Sequence, residues 1–206
     1  MKADFGSGCI RLYPTLLATA AFVLSMIANF WCQSVKFDPL VLDSIATVHF
    51  GLFSYSKLSS VDFSFGSSGS QLFSTGEECS AYDRDSNFDN AWKAARAFAI
   101  IATVLGAIVM LGLWLVLCFS RRMSTEGFWN FSIVTCLVVV PFCQGLTFLI
   151  LRSDICGNNP VLGIMGAFGV YEDDCQLDTG GIINIVATIA WCLTGVLLLA
   201  FRDRLS

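Results

Sequence analysis

The feature that most constrains this chain is a set of four long stretches without an Asp, Glu, Lys, Arg or His: residues 15–32, 97–119, 131–151 and 182–201. Each has the roughly 20 residues a helix needs to cross about 30 Å of hydrocarbon. A soluble protein could bury one such helix, but four in 206 residues would leave little chain to cover them. Composition agrees: 55% of the residues are apolar and only 14% charged, against about a quarter charged in soluble domains. The expectation is a single membrane domain over residues 1–206. Its fold class is an all-α, left-handed four-helix bundle with spans at about 13–33, 93–119, 129–151 and 181–201.

Charge placement sets the expected orientation, because short cytoplasmic loops collect Lys and Arg. The two termini and the connection between spans two and three hold six basic residues (Lys2, Arg11, Arg121, Arg122, Arg202, Arg204) against Asp4, Glu126 and Asp203, a balance of +3. The rest of the chain holds six basic and thirteen acidic residues, a balance of −7. Both termini are therefore expected in the cytosol, and the two longer loops, about 34–92 and 152–180, on the outer side, with the plasma membrane as the expected location. Ala18, Ala20 and Ala28 would permit signal-peptide cleavage. The first span exceeds a typical signal core in length and Pro14 suits its start, so an uncleaved anchor is the preferred reading.

The first outer loop alternates in a strand-like way at Val35 and Phe37 and again at Val48, Phe50 and Leu52. Residues 59–76 are rich in Ser and Gly with interleaved Phe63, Phe65 and Phe73. This predicts a small extracellular antiparallel β-sheet with a flexible insertion, followed by a helical segment from Asp89 to Arg96 that runs into span two. Small residues recur at helical spacing in span one (Ala18, Ala21, Ser25, Ala28) and span two (Ala99, Ala102, Gly106, Ala107), which predicts close helix approach. Pro141 is expected to bend span three.

Of nine cysteines, Cys32, Cys79, Cys156 and Cys175 fall on the outer side, where an oxidising compartment favours two disulfides. Three pairings are possible. Cys32–Cys79 with Cys156–Cys175 is preferred because each bridge then stays within one loop. A metal site is a weaker reading, since His49 is the only histidine and the cysteines are not closely paired.

The ordered set Trp31, Gly51-Leu52-Phe53, Cys79 with Tyr82 following, and Trp92-Lys93-Ala94-Ala95-Arg96-Ala97 resembles the claudin superfamily. That tetraspan group includes claudins, peripheral myelin protein, lens membrane protein and calcium-channel gamma subunits. The resemblance covers topology and loop sizes across nearly the whole chain and implies a four-span fold with an outer sheet. Three departures stand out. Phe53 replaces the family's Trp, and Ser56 occupies the place of the family's first loop cysteine, which leaves Cys32 as the substitute partner for Cys79. The tail, Asp203-Arg204-Leu205-Ser206, lacks the terminal Tyr-Val of many claudins.

Function is expected in the outer loops. No Ser/His/Asp set, phosphate-binding Gly loop or intramembrane ionisable pair occurs, so no enzyme activity, cofactor or small-molecule substrate is expected. A net charge of −4 argues against nucleic acid. The expected partners are the lipid bilayer and, through the outer loops, another copy or another membrane protein. The first functional reading is a claudin-like protein of cell contact, barrier or membrane organisation. Its acidic outer residues Asp38, Asp43, Asp62, Glu77, Glu78, Glu172, Asp173 and Asp174 would favour cations along the contact. The alternative is an auxiliary subunit of a larger complex such as an ion channel, docked through the Phe-bearing insertion. Orientation has a direct check. The Asn130-Phe131-Ser132 sequon is expected to stay unglycosylated because it starts span three on the cytosolic side. A glycan-dependent mobility shift at Asn130 would reverse the orientation.

Overall fold

A computed structural model describes residues 5–37, 48–56, 79–82, 89–119, 126–153, 156 and 175–205. Three long helices, α1 (Phe5–Phe30), α2 (Asn90–Phe119) and α5 (Thr179–Leu205), are each continuous. A fourth rod is composite: α3 (Glu126–Val134), a π-helical turn (Thr135–Val139), α4 (Val140–Leu146) and a 3₁₀ end (Thr147–Arg152). All four rods are long and apolar enough to cross a membrane. Large apolar side chains such as Ile100, Val104, Leu111, Ile189, Val196 and Leu199 are exposed around the bundle. In water such patches are sites of association or aggregation; facing hydrocarbon they are matched to their solvent, and the architecture is compatible with a membrane bundle.

The helices approach closely where the side chains are small. Ala18, Ala21, Ser25 and Ala28 of α1 are all buried, as are Ala99 and Ala102 of α2. Gly106 is a notch for a ring: a Cβ there would meet the indole of Trp191 at 2.8 Å. The most extensive helix interface is α1 with α5. Pro14 lies inside α1, which begins at Phe5, ahead of the membrane-length apolar stretch Leu12–Phe30. Pro141 has a larger effect. It cannot donate to the carbonyl four residues back, and the chain accommodates this with the π turn that precedes it, in which the Val140 N–H reaches the Thr135 carbonyl.

Polar side chains tie the rods together inside the apolar core. The Ser25 hydroxyl of α1 donates to the Ala21 carbonyl at 2.8 Å, which leaves its oxygen to accept. Into that oxygen donate Gln144 Nε2 of α4 at 2.5 Å and Trp191 Nε1 of α5 at 2.9 Å. Trp114 of α2 donates to Thr19 of α1 at 3.0 Å. Asn184 of α5 donates to Thr147 at 2.7 Å.

A five-stranded antiparallel sheet, order β4-β3-β2-β1-β5, sits at one end of the bundle. Its strands are β1 (Val35–Phe37), β2 (Val48–Phe50), β3 (Ser54–Ser56), β4 (Cys79–Ala81) and β5 (Gln176–Leu177). Val35 and Phe37 point into the core and Lys36 does not, the two-residue period of a half-buried strand. The expected sheet lay within residues 34–92; the observed one also takes an edge strand from the other loop, with Val35 opposite Leu177 and Lys36 opposite Gln176. Val35, Phe37, Phe50 and Leu52 pack on Trp92, Ala95 and Ala99 of α2 and on Ile150, so sheet and bundle share one apolar core.

The three-helix junction on Ser25 gives a test. Ser25→Ala leaves two buried donors without an acceptor, and each orphaned group costs about 1–3 kcal/mol. Partners found in the membrane-unfolded state reduce such losses to about 0.6–1.7 kcal/mol per interaction. Unfolding by detergent titration should show a loss in that range for Ser25→Ala and a smaller one for Ser25→Thr, which keeps the hydroxyl.

Candidate functional site: the seat of the sheet on the bundle

The site begins where α1 ends. Trp31 N–H still reaches the Ile27 carbonyl at 2.9 Å, then the chain turns through residues 32–34 into β1. The Gly51-Leu52 turn between β2 and β3 lands on this exit. A Cβ at Gly51 would collide with the Trp31 carbonyl oxygen and lie 2.7 Å from Cys32 Cα, both backbone atoms, so only glycine fits this approach. The turn closes by the Gly51 N–H donating to the Ser54 carbonyl at 2.8 Å, and Ser34 N–H donates to Phe50 O at 3.0 Å.

Arg96 holds the other side of the turn. Its Nε donates to the Leu52 carbonyl at 2.5 Å. Its guanidinium carbon lies 5.3 Å from the ring centres of Phe53 and Tyr82 and 5.2 Å from that of Trp92. A planar, weakly hydrated cation suits such a three-ring surround, and each ring contact contributes about 0.5–2 kcal/mol. Position follows from the helix: Trp92 and Arg96 are four residues apart on α2, hence neighbours on one face. Asp89 starts that helix, its Oδ1 accepting the Trp92 N–H at 3.2 Å. Tyr82 completes the cluster by donating its hydroxyl to the Gly51 carbonyl at 3.0 Å. Burial pushes the Tyr82 phenol well above its ordinary range, so the proton for that bond stays in place. Phe30, half exposed, stacks on Phe53 at 5.1 Å, and Trp31 beside it is also exposed.

The covalent link lies in the same place. Cys32 and Cys79 are disulfide-bonded with Cα atoms 5.9 Å apart, and so are Cys156 and Cys175 at 5.1 Å. The residue directly opposite Cys79 in the β3–β4 register is Ser56. Its hydroxyl accepts the His49 N–H at 3.0 Å, while the sulfur of Cys79 turns to the end of α1.

Sequence reasoning missed a second joint. Asp178 caps α5, its Oδ1 accepting the Thr179 N–H at 2.7 Å. Its other oxygen lies 2.5 Å from His49 Nδ1 of β2. Asp178 N–H donates to Ser34 O and Gly180 N–H to Gln33 O, so the α5 start and the α1 exit are hydrogen-bonded directly. The readable signal was Asp178-Thr179-Gly180 before an apolar run, a helix-start pattern.

The site residues read from sequence therefore divide. Trp31, Cys32, Gly51, Leu52, Phe53, Cys79 and Arg96 converge at the seat, and Cys156 packs in the same core with Cys175 against it. Asp38, Asp43, Asp62, Glu77, Glu78, Glu172, Asp173 and Asp174 lie outside the described residues, as do Phe63, Phe65 and Phe73. Among the described residues no group of three or more His, Cys, Asp or Glu side chains is placed to hold a metal ion. Chemically the seat is a joint made of a half-buried cation–aromatic cluster, a disulfide and backbone hydrogen bonds. A comparison with models of known protein families finds no match to the chain, and neither does a comparison with curated proteins.

Non-reducing peptide mapping should recover Cys32 linked to Cys79 in the wild-type chain. In Gly51→Ala the linked peptide should fall at least several-fold, because the new methyl meets backbone on two sides and lifts the turn off the α1 exit. Full linkage in Gly51→Ala would contradict this seat.

Proposed function

We propose that the chain is an integral membrane protein, similar to the claudin superfamily, that acts by protein–protein association through the two loops at the sheet end. In this reading the bundle spans the plasma membrane with both termini cytosolic and the sheet outside. The partner is a second copy or another membrane protein. The observation that carries the proposal is where the ordered motif residues meet. Trp31, Gly51, Leu52, Phe53, Cys79 and Arg96, separated by up to 65 positions in sequence, surround one joint that fixes a sheet to the end of a bundle. The spans themselves hold no Asp, Glu, Lys, Arg or His through their middles, which disfavours a charge-lined pathway through the bundle. Exposed Phe30 and Trp31 beside the seat suit a membrane–water boundary, where aromatic side chains concentrate.

The test is expression of the full chain, fluorescently tagged at the C-terminus, in otherwise contact-poor cells. Association between copies predicts enrichment where two expressing cells touch, and none where an expressing cell touches a non-expressing one. Uniform surface distribution, together with stoichiometric recovery of a larger membrane protein in mild detergent, would replace self-association by the auxiliary-subunit reading. Uniform distribution with the chain recovered alone would contradict both.

A further inference from the structure

Between the bundle and the sheet lies a small cavity whose lining includes Asn29 of α1, Asn184 of α5, Ser34, Leu52 and Ile150. Its volume for the centre of a water-sized sphere is ≈ 20 Å³, where a single water needs roughly 10–15 Å³. Asn29 is 1% and Asn184 4% exposed. In each the carboxamide Oδ1 is buried without a hydrogen-bond partner.

The orientation of both carboxamides is forced by their neighbours. The Thr103 hydroxyl gives its proton to the Ala99 carbonyl at 2.8 Å, so its oxygen is an acceptor toward Asn29, and the Asn29 NH₂ must face it, at 3.2 Å. The Thr147 hydroxyl gives its proton to the Gln144 carbonyl at 2.7 Å. The Asn184 NH₂ must therefore face Thr147 and the Gln144 carbonyl, at 2.7 and 3.2 Å. Flipping either amide would set oxygen against oxygen. Two acceptor oxygens are thus left over, on two different helices, in residues that line one cavity.

We propose that this cavity is a binding site for a single ordered water molecule, which donates its two hydrogens to Asn29 Oδ1 and Asn184 Oδ1 and so bridges α1 to α5 beneath the sheet. Water fits on three counts. It is a double donor facing two acceptors, it matches the volume, and it is neutral. A monovalent cation would find carboxamide and hydroxyl oxygens but no carboxylate in the lining, and an unpaired charge is strongly disfavoured in so buried a place. The site is independent of what the sheet end binds. It explains why α1 and α5, the most closely joined pair of helices, each carry an asparagine at this level.

X-ray radiolytic footprinting of the full chain in mild detergent tests the site, because bound water oxidises side chains that bulk solvent cannot reach. Leu52 and Ile150 are both 3% exposed and line the cavity; Val109, at 0%, is the dry reference. Leu52 and Ile150 should be labelled at least fivefold above Val109. Exposed Tyr13 is the solvent-facing control. Asn184→Leu or Asn29→Leu, whichever retains the Cys32–Cys79 link, should reduce the Leu52 and Ile150 label severalfold and leave Tyr13 unchanged. Labelling of Leu52 and Ile150 no higher than Val109 in the wild-type chain would overturn the proposal without any variant. Replacing sodium by choline should leave the melting temperature unchanged; a drop of several degrees would overturn it in favour of a bound cation.

Discussion

The sheet end of this protein depends on how the Gly51-Leu52 turn rests against the point where the chain leaves α1. Two backbones meet there with no room for a side chain between them. Such an approach leaves carbonyls that need donors, and the fold supplies them from three directions. Tyr82 donates to Gly51 O, Arg96 to Leu52 O, and the Gly180 N–H to Gln33 O. The aromatic rings around the guanidinium make a partly desolvated cation tolerable at the end of a membrane-length helix. The disulfide from Cys32 then ties the last strand of the first loop to the same point.

Below the seat the bundle follows different physics. Hydrocarbon gives apolar helices no hydrophobic reason to associate, so packing and hydrogen bonds must do it. Small residues supply the first and Ser25, Gln144, Trp191, Asn184 and Thr147 the second. These polar groups are neutral and turned inward, so they cross-link the helices without an unpaired charge in the apolar core.

Much of this was legible in the sequence because it rests on strong local signals. Uncharged runs marked the four rods, Val35/Phe37 alternation marked β1, and Asp89 with the apolar run after it marked the start of α2. The seat residues stood out in the sequence only through their resemblance to a known family's ordered motif, and their geometry was not legible. Nothing in Gly51 itself says that its neighbour is Trp31 O, a contact twenty positions away in sequence. Strand β5 was missed because two residues carry no period to detect. The His49–Asp178 contact was missed because it joins residues 129 positions apart. Pro141 announced a disturbance of span three but not its form, since a π turn and a kink both relieve the same missing hydrogen bond.

Arg96 fixes the sheet to the bundle through planar, multi-ring contact and a donor to Leu52 O, a role Lys cannot fill. Hydrogen exchange of the wild-type chain and of Arg96→Lys, both oxidised and in the same detergent, measures this directly. Amides of residues 48–56 should lose at least tenfold protection in Arg96→Lys while those of residues 99–116 stay protected. Equal protection of residues 48–56 in the two proteins would contradict it.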